Sequence, residues 1–173
     1  RKFMNLKKNL IFLGMMGSGK SSIGHLVSEK LNLKFFDVDN VIEKKEGMKI
    51  FNIFKNKGEN YFRNLEEKIT MKILKMNNNV ISLGGGSFMN VSIRREVLDN
   101  NCSFWLDWEN NTLIKRIKKS QKRPMAFNST ESELITLIRK RSKIYSKAQF
   151  KINCNNLTKT EIVNKILKIY ELN

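Results

Sequence analysis

In NLIFLGMMGSGKSSIG (Asn9–Gly24) an apolar run enters a glycine-rich turn and leaves it with helical periodicity. Asn9–Leu13 reads as a buried strand, and Ile23, Leu26, Val27 and Leu31 recur at the spacing of one helix face. Between them, Gly14-x-x-x-x-Gly19-Lys20-Ser21 satisfies the phosphate-loop pattern in the strand–helix context that the pattern requires. Its physics is specific. Glycines let backbone N–H groups turn inward without a Cβ in the way, and the helix N-terminus adds positive potential. Lys20 has the length to reach the β- and γ-phosphates, and the Ser21 hydroxyl is the expected Mg²⁺ ligand. The predicted nucleotide contacts are Gly17, Ser18, Gly19, Lys20, Ser21 and Ser22. A glycine turn with a chance lysine would not explain the full pattern with both flanks agreeing. The ligand is a nucleoside triphosphate, and the lack of an Asn-Lys-x-Asp segment of the guanine-reading type points to ATP.

Strand and helix patterns alternate onward from that stretch. KFFDVD (34–39) reads as a strand ending in carboxylates. A long helical region follows, with Phe62, Leu65, Ile69, Ile73 and Met76 on one face. NVISLGGG (79–86) is a strand running into three glycines, and CSFWL (102–106) is a fourth strand. Asn110–Lys119 and Glu131–Ala148 read as helices, separated by KSQKRPMAFNST (119–130), which holds the only proline. FKIN (150–153) and Thr158–Tyr170 close the chain as strand and helix. Alternation of this kind means a parallel sheet covered on both faces, an α/β fold of one domain. Ligands of such sheets bind at the carboxyl ends of the strands. Here those ends carry Gly14, Asp37 with Asp39, and Gly84–Gly86.

At 173 residues the chain is long enough for a real core. No apolar run approaches the ~18–20 residues that span a bilayer. Cys102 and Cys154 are widely spaced with no CxxC pair, so neither a disulfide framework nor a zinc site is suggested, and a reducing cytoplasm fits. The formal net charge is +17. Its lysines are scattered from end to end among many Asn and Ile, so the charge reads as a solvated surface and not as a nucleic-acid face.

Two arginines bear on the acceptor. Arg63, in GENYFR (58–63), sits four residues from both Glu59 and Glu67, the spacing of surface ion pairs. Arg141 lies within the inward stripe Leu134, Leu137, Ile138, Tyr145 and Ala148. A guanidinium cannot shed its charge, so facing inward it needs an anion: a ligand, or a carboxylate from elsewhere in the chain.

Taken in order, GMMGSGKSSIG, DVD, GENYFR with Glu66, GGG, KRP (122–124) and RSKIY (141–145) resemble the shikimate kinases along nearly the whole chain. The resemblance implies a three-layer α/β/α P-loop kinase fold with strand order 2-3-1-4-5. It implies one domain over 1–173, with a shikimate-binding region at 36–66 and a lid at 118–131. It further implies transfer of the ATP γ-phosphate to the 3-hydroxyl of shikimate, with one Mg²⁺, by a cytoplasmic monomer with no nucleic-acid or membrane partner. By the same resemblance Asp37 lies near Mg²⁺, and Asp39 binds the shikimate hydroxyls and is the base. Arg63 and Arg141 clamp the carboxylate, and Gly85 and Gly86 offer backbone contacts. Arg123 meets the transferring phosphate, and Arg116 packs on adenine. The chain departs from the family in MAF (125–127) after KRP and in NCNN (153–156) after the fifth strand.

The remaining conspicuous residues read as structural: His25 as surface or packing, Asp107 as a loop residue, Trp105 as core, Trp108 as partial-surface packing, both cysteines as inert. The competing functions are another small-molecule kinase of this fold, such as a sugar-acid kinase, and a P-loop nucleic-acid-binding ATPase.

Overall fold

The computed structural model describes residues 9–120 and 129–172. The strands are β1 (Asn9–Leu13), β2 (Lys34–Asp37), β3 (Asn79–Ser82), β4 (Cys102–Asp107) and β5 (Phe150–Asn153). They form one sheet in the order β2-β3-β1-β4-β5, every pair parallel. The helices of the described residues are α1 (Lys20–Leu31), α2 (Val38–Glu46), α3 (Ile50–Lys57), α4 (Glu59–Leu74), α5 (Val91–Asn100), α6 (Asn110–Lys119), α7 (Glu131–Tyr145) and α8 (Lys159–Leu172).

Strand alternation sorts the core into two layers. Leu10 and Phe12 of β1 join Val80, Phe104 and Ile152 beneath α1 and α8. Ile11 and Leu13 face the other way, with Ile81 and Trp105, against α2 to α7. The three-layer α/β/α arrangement and strand order are as expected from the sequence.

Several local expectations change. The strand KFFDVD stops at Asp37, because the Asp37 carboxylate accepts the Asn40 N–H at 3.3 Å and caps α2. Asp39 therefore stands in the first turn of a helix. The helical region after it is three helices, interrupted at Gly47 and Gly58. On α4 the buried face holds Phe62, Glu66, Ile69 and Ile73, so Glu66 takes the place expected of Leu65. Met76 lies beyond the helix end and is exposed. Helix α5, capped by Asn90 accepting from the Ile93 N–H, was not anticipated. Asp107 is the last residue of β4, not a loop residue, and pairs with Lys151 at 3.4 Å.

The structural readings of His25, Trp105 and Cys154 hold. His25 is exposed beside Glu29 at 3.1 Å, and Trp105 is buried. Burial pushes the Cys154 thiol up to about 12, far from a reactive thiolate. No described helix is long and apolar enough to cross a membrane. Arg123 and most of the 118–131 segment lie outside the described residues. At its described edges, Lys118 Nζ lies 3.5 Å from Glu131 Oε2.

Candidate active site

The β1–α1 turn is built for phosphate. Gly14, Gly17 and Gly19 have φ of 146°, 81° and 86°, a region where a side chain would be strained. Lys20 Nζ donates to the carbonyls of Gly14 at 2.8 Å and Met15 at 2.9 Å, so its ammonium lies across the loop. Behind it, Ser82 Oγ donates to the Lys20 carbonyl at 2.7 Å, tying the start of α1 to β3. The Ser21 hydroxyl donates to the Asp37 carboxylate, joining the ends of the loop and of β2. On the far side, Arg116 Nη1 donates to the Gly17 carbonyl at 3.1 Å.

Beside the loop, with Gly85 against the Met16 backbone, the GGG segment forms a floor on which the charged side chains lie. A Cβ on Gly84 would come within 2.9 Å of both Asp39 Oδ1 and Glu66 Oε2. On Gly85 it would stand 3.4 Å from Arg141 Nη1, and on Gly86 only 2.7 Å from Arg63 Nη1. None of the three has a positive φ. At Gly84 and Gly86 charged side chains press on the backbone, and at Gly85 the tightest neighbour is the Met16 backbone nitrogen of the phosphate loop, 3.3 Å from an added Cβ.

Arg63 is held from its own helix. Its Nη1 lies 2.9 Å from Glu66 Oε1 and its Nε 3.7 Å from Glu59. The Glu67 pairing open from the sequence is not formed, since Glu67 instead accepts from Asn90 Nδ2 at 3.0 Å. The guanidinium also lies over the Phe62 ring, 5.3 Å from its centroid. Arg141 is 4% exposed, yet it lines the cleft beside Gly85. One turn on, the Tyr145 hydroxyl donates to the Gly85 carbonyl. Burial pushes that phenol up to about 12, against the pull of the Arg141 guanidinium, so it stays a neutral donor.

Loop and floor share one cleft of about 760 Å³. Gly17, Gly19, Lys20, Ser21, Ser22 and Arg116 line it from the loop side. Asp37, Asp39, Arg63, Gly85, Gly86 and Arg141 line it as well. Ser18 is the predicted contact not brought to the wall: it is buried, and its N–H donates to the Met15 carbonyl at 3.1 Å. Glu66 joins the same cleft with no role read for it in the sequence. The signal was available, because an acid at i+4 from Phe62 and i−3 from Ile69 falls on the buried stripe. The same logic had picked out Arg141.

The family model for shikimate kinase matches residues 16–171. The chain belongs to the shikimate kinase family. A shikimate kinase of Sulfurihydrogenibium sp. is 42% identical over 160 residues, covering 92% of this chain and 96% of that protein. The shikimate kinase of Acinetobacter baumannii, solved in complex with shikimate, superposes with a TM-score of 0.91 at 26% identity, over 99% of this chain and 97% of that one. That of Aquifex aeolicus gives 0.85 at 36% identity, over 94% and 96%. Membership makes the chain an ATP-dependent kinase of the shikimate pathway.

The donor set at the loop suits the metal that such kinases use. Ser21 and Asp37 offer hard oxygens side by side, and no group of three or more His, Cys, Asp or Glu that could cage an ion occurs among the described residues. Mg²⁺ is a hard ion that keeps several waters and shares itself with phosphate oxygens, so few protein ligands are what it needs.

Proposed function

We propose that the cleft transfers the γ-phosphoryl group of ATP to the 3-hydroxyl of shikimate, giving shikimate 3-phosphate and ADP. One observation carries the reading: Asp39, Arg63 and Arg141, from three different helices, lie against one glycine floor in the cleft that the phosphate loop opens into.

The division of labour follows from the chemistry. Arg63 and Arg141 present planar guanidinium groups to a planar carboxylate, which fixes the orientation of the shikimate ring. Gly85 and Gly86 leave room for the ring to approach the backbone. Asp39 faces the acceptor hydroxyl. As the new phosphorus–oxygen bond forms, that hydroxyl loses its basicity, and its proton passes to the Asp39 carboxylate while the bond from the γ-phosphorus to the bridging oxygen of ADP breaks. Such a transfer needs alignment and charge neutralisation more than covalent help. The loop N–H groups and Lys20 supply positive charge at the β- and γ-phosphates, and we assign Arg123 to the transferring group. Ser21, and Asp37 through water, would hold Mg²⁺, which supplies further positive charge at the phosphate oxygens when bound. Arg116 is assigned to the adenine side. The reading takes the enzyme as a cytoplasmic monomer acting on two small molecules, with no nucleic-acid or membrane partner.

The test is ADP release with Mg·ATP, with shikimate, gluconate and single-stranded DNA added in parallel. Turnover in the kinase range of ~1–100 s⁻¹ with shikimate alone is the expected result. Silence with shikimate and stimulation by either other addition overturns the assignment of Asp39, Arg63 and Arg141.

A further inference from the structure

Trp108, in the short link between β4 and α6, makes two contacts that simple packing does not require. Its Nε1–H donates to the Ser18 carbonyl at 2.8 Å. Its ring carries the Arg116 guanidinium, whose central carbon lies 4.0 Å from a ring centroid. Arg116 in turn donates to the carbonyl of Gly17, the residue next to Ser18. Indole, guanidinium and two consecutive loop carbonyls therefore form a closed ring of contacts at one end of the phosphate loop.

Each contact has a directional consequence. Every described peptide is trans, so the N–H of Gly19 points opposite to the Ser18 carbonyl. An indole that captures the carbonyl from behind aims that N–H away from itself, toward the cleft that Gly19 lines. Glycine restricts neither φ nor ψ, so the peptide planes of this loop depend on such bonds, as they do on those of Lys20 to Gly14 and Met15. The Arg116 side chain is long and rotamer-rich, and stacking one face of its guanidinium on the indole leaves the opposite face on the cleft side. Trp108 itself does not line the cleft.

We infer that Trp108 is a positioning residue for the nucleotide: it sets the phosphate loop and Arg116 in the orientation that receives ATP, without touching ATP. This rests on the reading of the loop as the ATP site. It predicts a ligand-selective defect, since the acceptor half of the cleft stands on Glu66, Tyr145 and the glycine floor.

The experiment compares the parent chain with Trp108→Phe and Trp108→Leu by calorimetric titration with Mg·ADP and separately with shikimate, alongside KM for each substrate and thermal melting. Trp108→Phe keeps an aromatic face and loses one hydrogen bond, so Mg·ADP binding should weaken about two- to tenfold. Trp108→Leu loses the stack as well and should weaken it by about tenfold or more. KM for ATP should rise in step, with shikimate affinity held near the parent value. Should Trp108→Leu fail to fold, the Phe variant decides alone. Mg·ADP affinity unchanged in the Phe variant, and in any Leu variant that folds, overturns the inference while leaving the loop's role intact. Equal losses for both ligands, tracking a fall in Tm, overturn it in favour of packing alone. A parent chain that does not bind Mg·ADP removes the nucleotide reading and this inference with it.

Discussion

The two halves of the cleft solve the same problem, holding an anion, by opposite means. On the side proposed for the nucleotide, one continuous loop has three glycines at positive φ, with Lys20 and Arg116 hydrogen-bonded to its carbonyls. On the side proposed for the acceptor, the donors are side chains from separate helices, and Gly84 and Gly86 let charged groups approach the backbone. The first half depends on backbone freedom at its glycines and on the side chains that brace it, Lys20, Arg116 and Trp108. In the second, geometry depends on what backs each arginine: Glu66 for Arg63, and the Tyr145-pinned floor for Arg141.

Substitutions can separate the halves, beginning with the largest effects. Asp39→Asn removes the proton acceptor and should lower kcat by about 10²–10⁴-fold with melting near that of the parent. Lys20→Ala, its counterpart at the loop, should cost about 10²–10³-fold in kcat. If Asp39→Asn retained near-parent turnover, the base would have to be sought elsewhere in the cleft. Arg141→Lys keeps the charge and loses the planar fork. Shikimate KM should rise about ten- to a hundredfold, the worth of hydrogen bonds to a charged group, while ATP KM stays put. Equal affinity for shikimate in that variant would remove the clamp from the acceptor half.

Gly86→Ala is a finer probe, because the added methyl meets the Arg63 guanidinium at 2.7 Å. Overpacking of this kind should raise shikimate KM by about tenfold, again without moving ATP KM. An ATP-selective defect would show that the floor serves the other half. The smallest effect concerns the outer frame of the acceptor side. Glu46 accepts from Lys57 at 2.8 Å and from Tyr61 at 3.0 Å, joining the ends of α2 and α3 to the first turn of α4. The Lys57 hydrogen bond holds the Glu46 carboxyl below its ordinary 4.5. A lowered folded-state value means that the carboxylate stabilises the fold above 4.5, and that this contribution is lost as pH falls through the lowered value. Thermal melts of Glu46→Gln against the parent should differ slightly at neutral pH and converge in acid. Curves that stay parallel to low pH would show that this contact adds nothing.

Legibility differed between the halves for a physical reason. The loop could be read because its function lies in local backbone geometry, so eight adjacent positions carried all of it. Arg141 could be read because one polar residue broke an apolar stripe. Glu66 broke the stripe of α4 in the same way, and Leu65, one position away, masked it. Asp39 was placed at a strand end, when an Asx cap at Asp37 had already turned the chain into α2. Trp108 gave no signal, because its hydrogen bond to Ser18 spans ninety residues.

By itself the sequence determined the parallel sheet, its helical layers, the phosphate loop and the family resemblance. Each of these depends on periodicity or on residues close together in the chain, where geometry follows from spacing. Tertiary structure alone decided that Glu66 and not Glu67 holds Arg63, that Gly84 faces Asp39 and Glu66 while Gly86 faces Arg63, and that Trp108 braces the loop. Those are choices between partners brought together by packing β3, α2, α4 and α7 around one cleft, and spacing along the chain carries no information about distances across it.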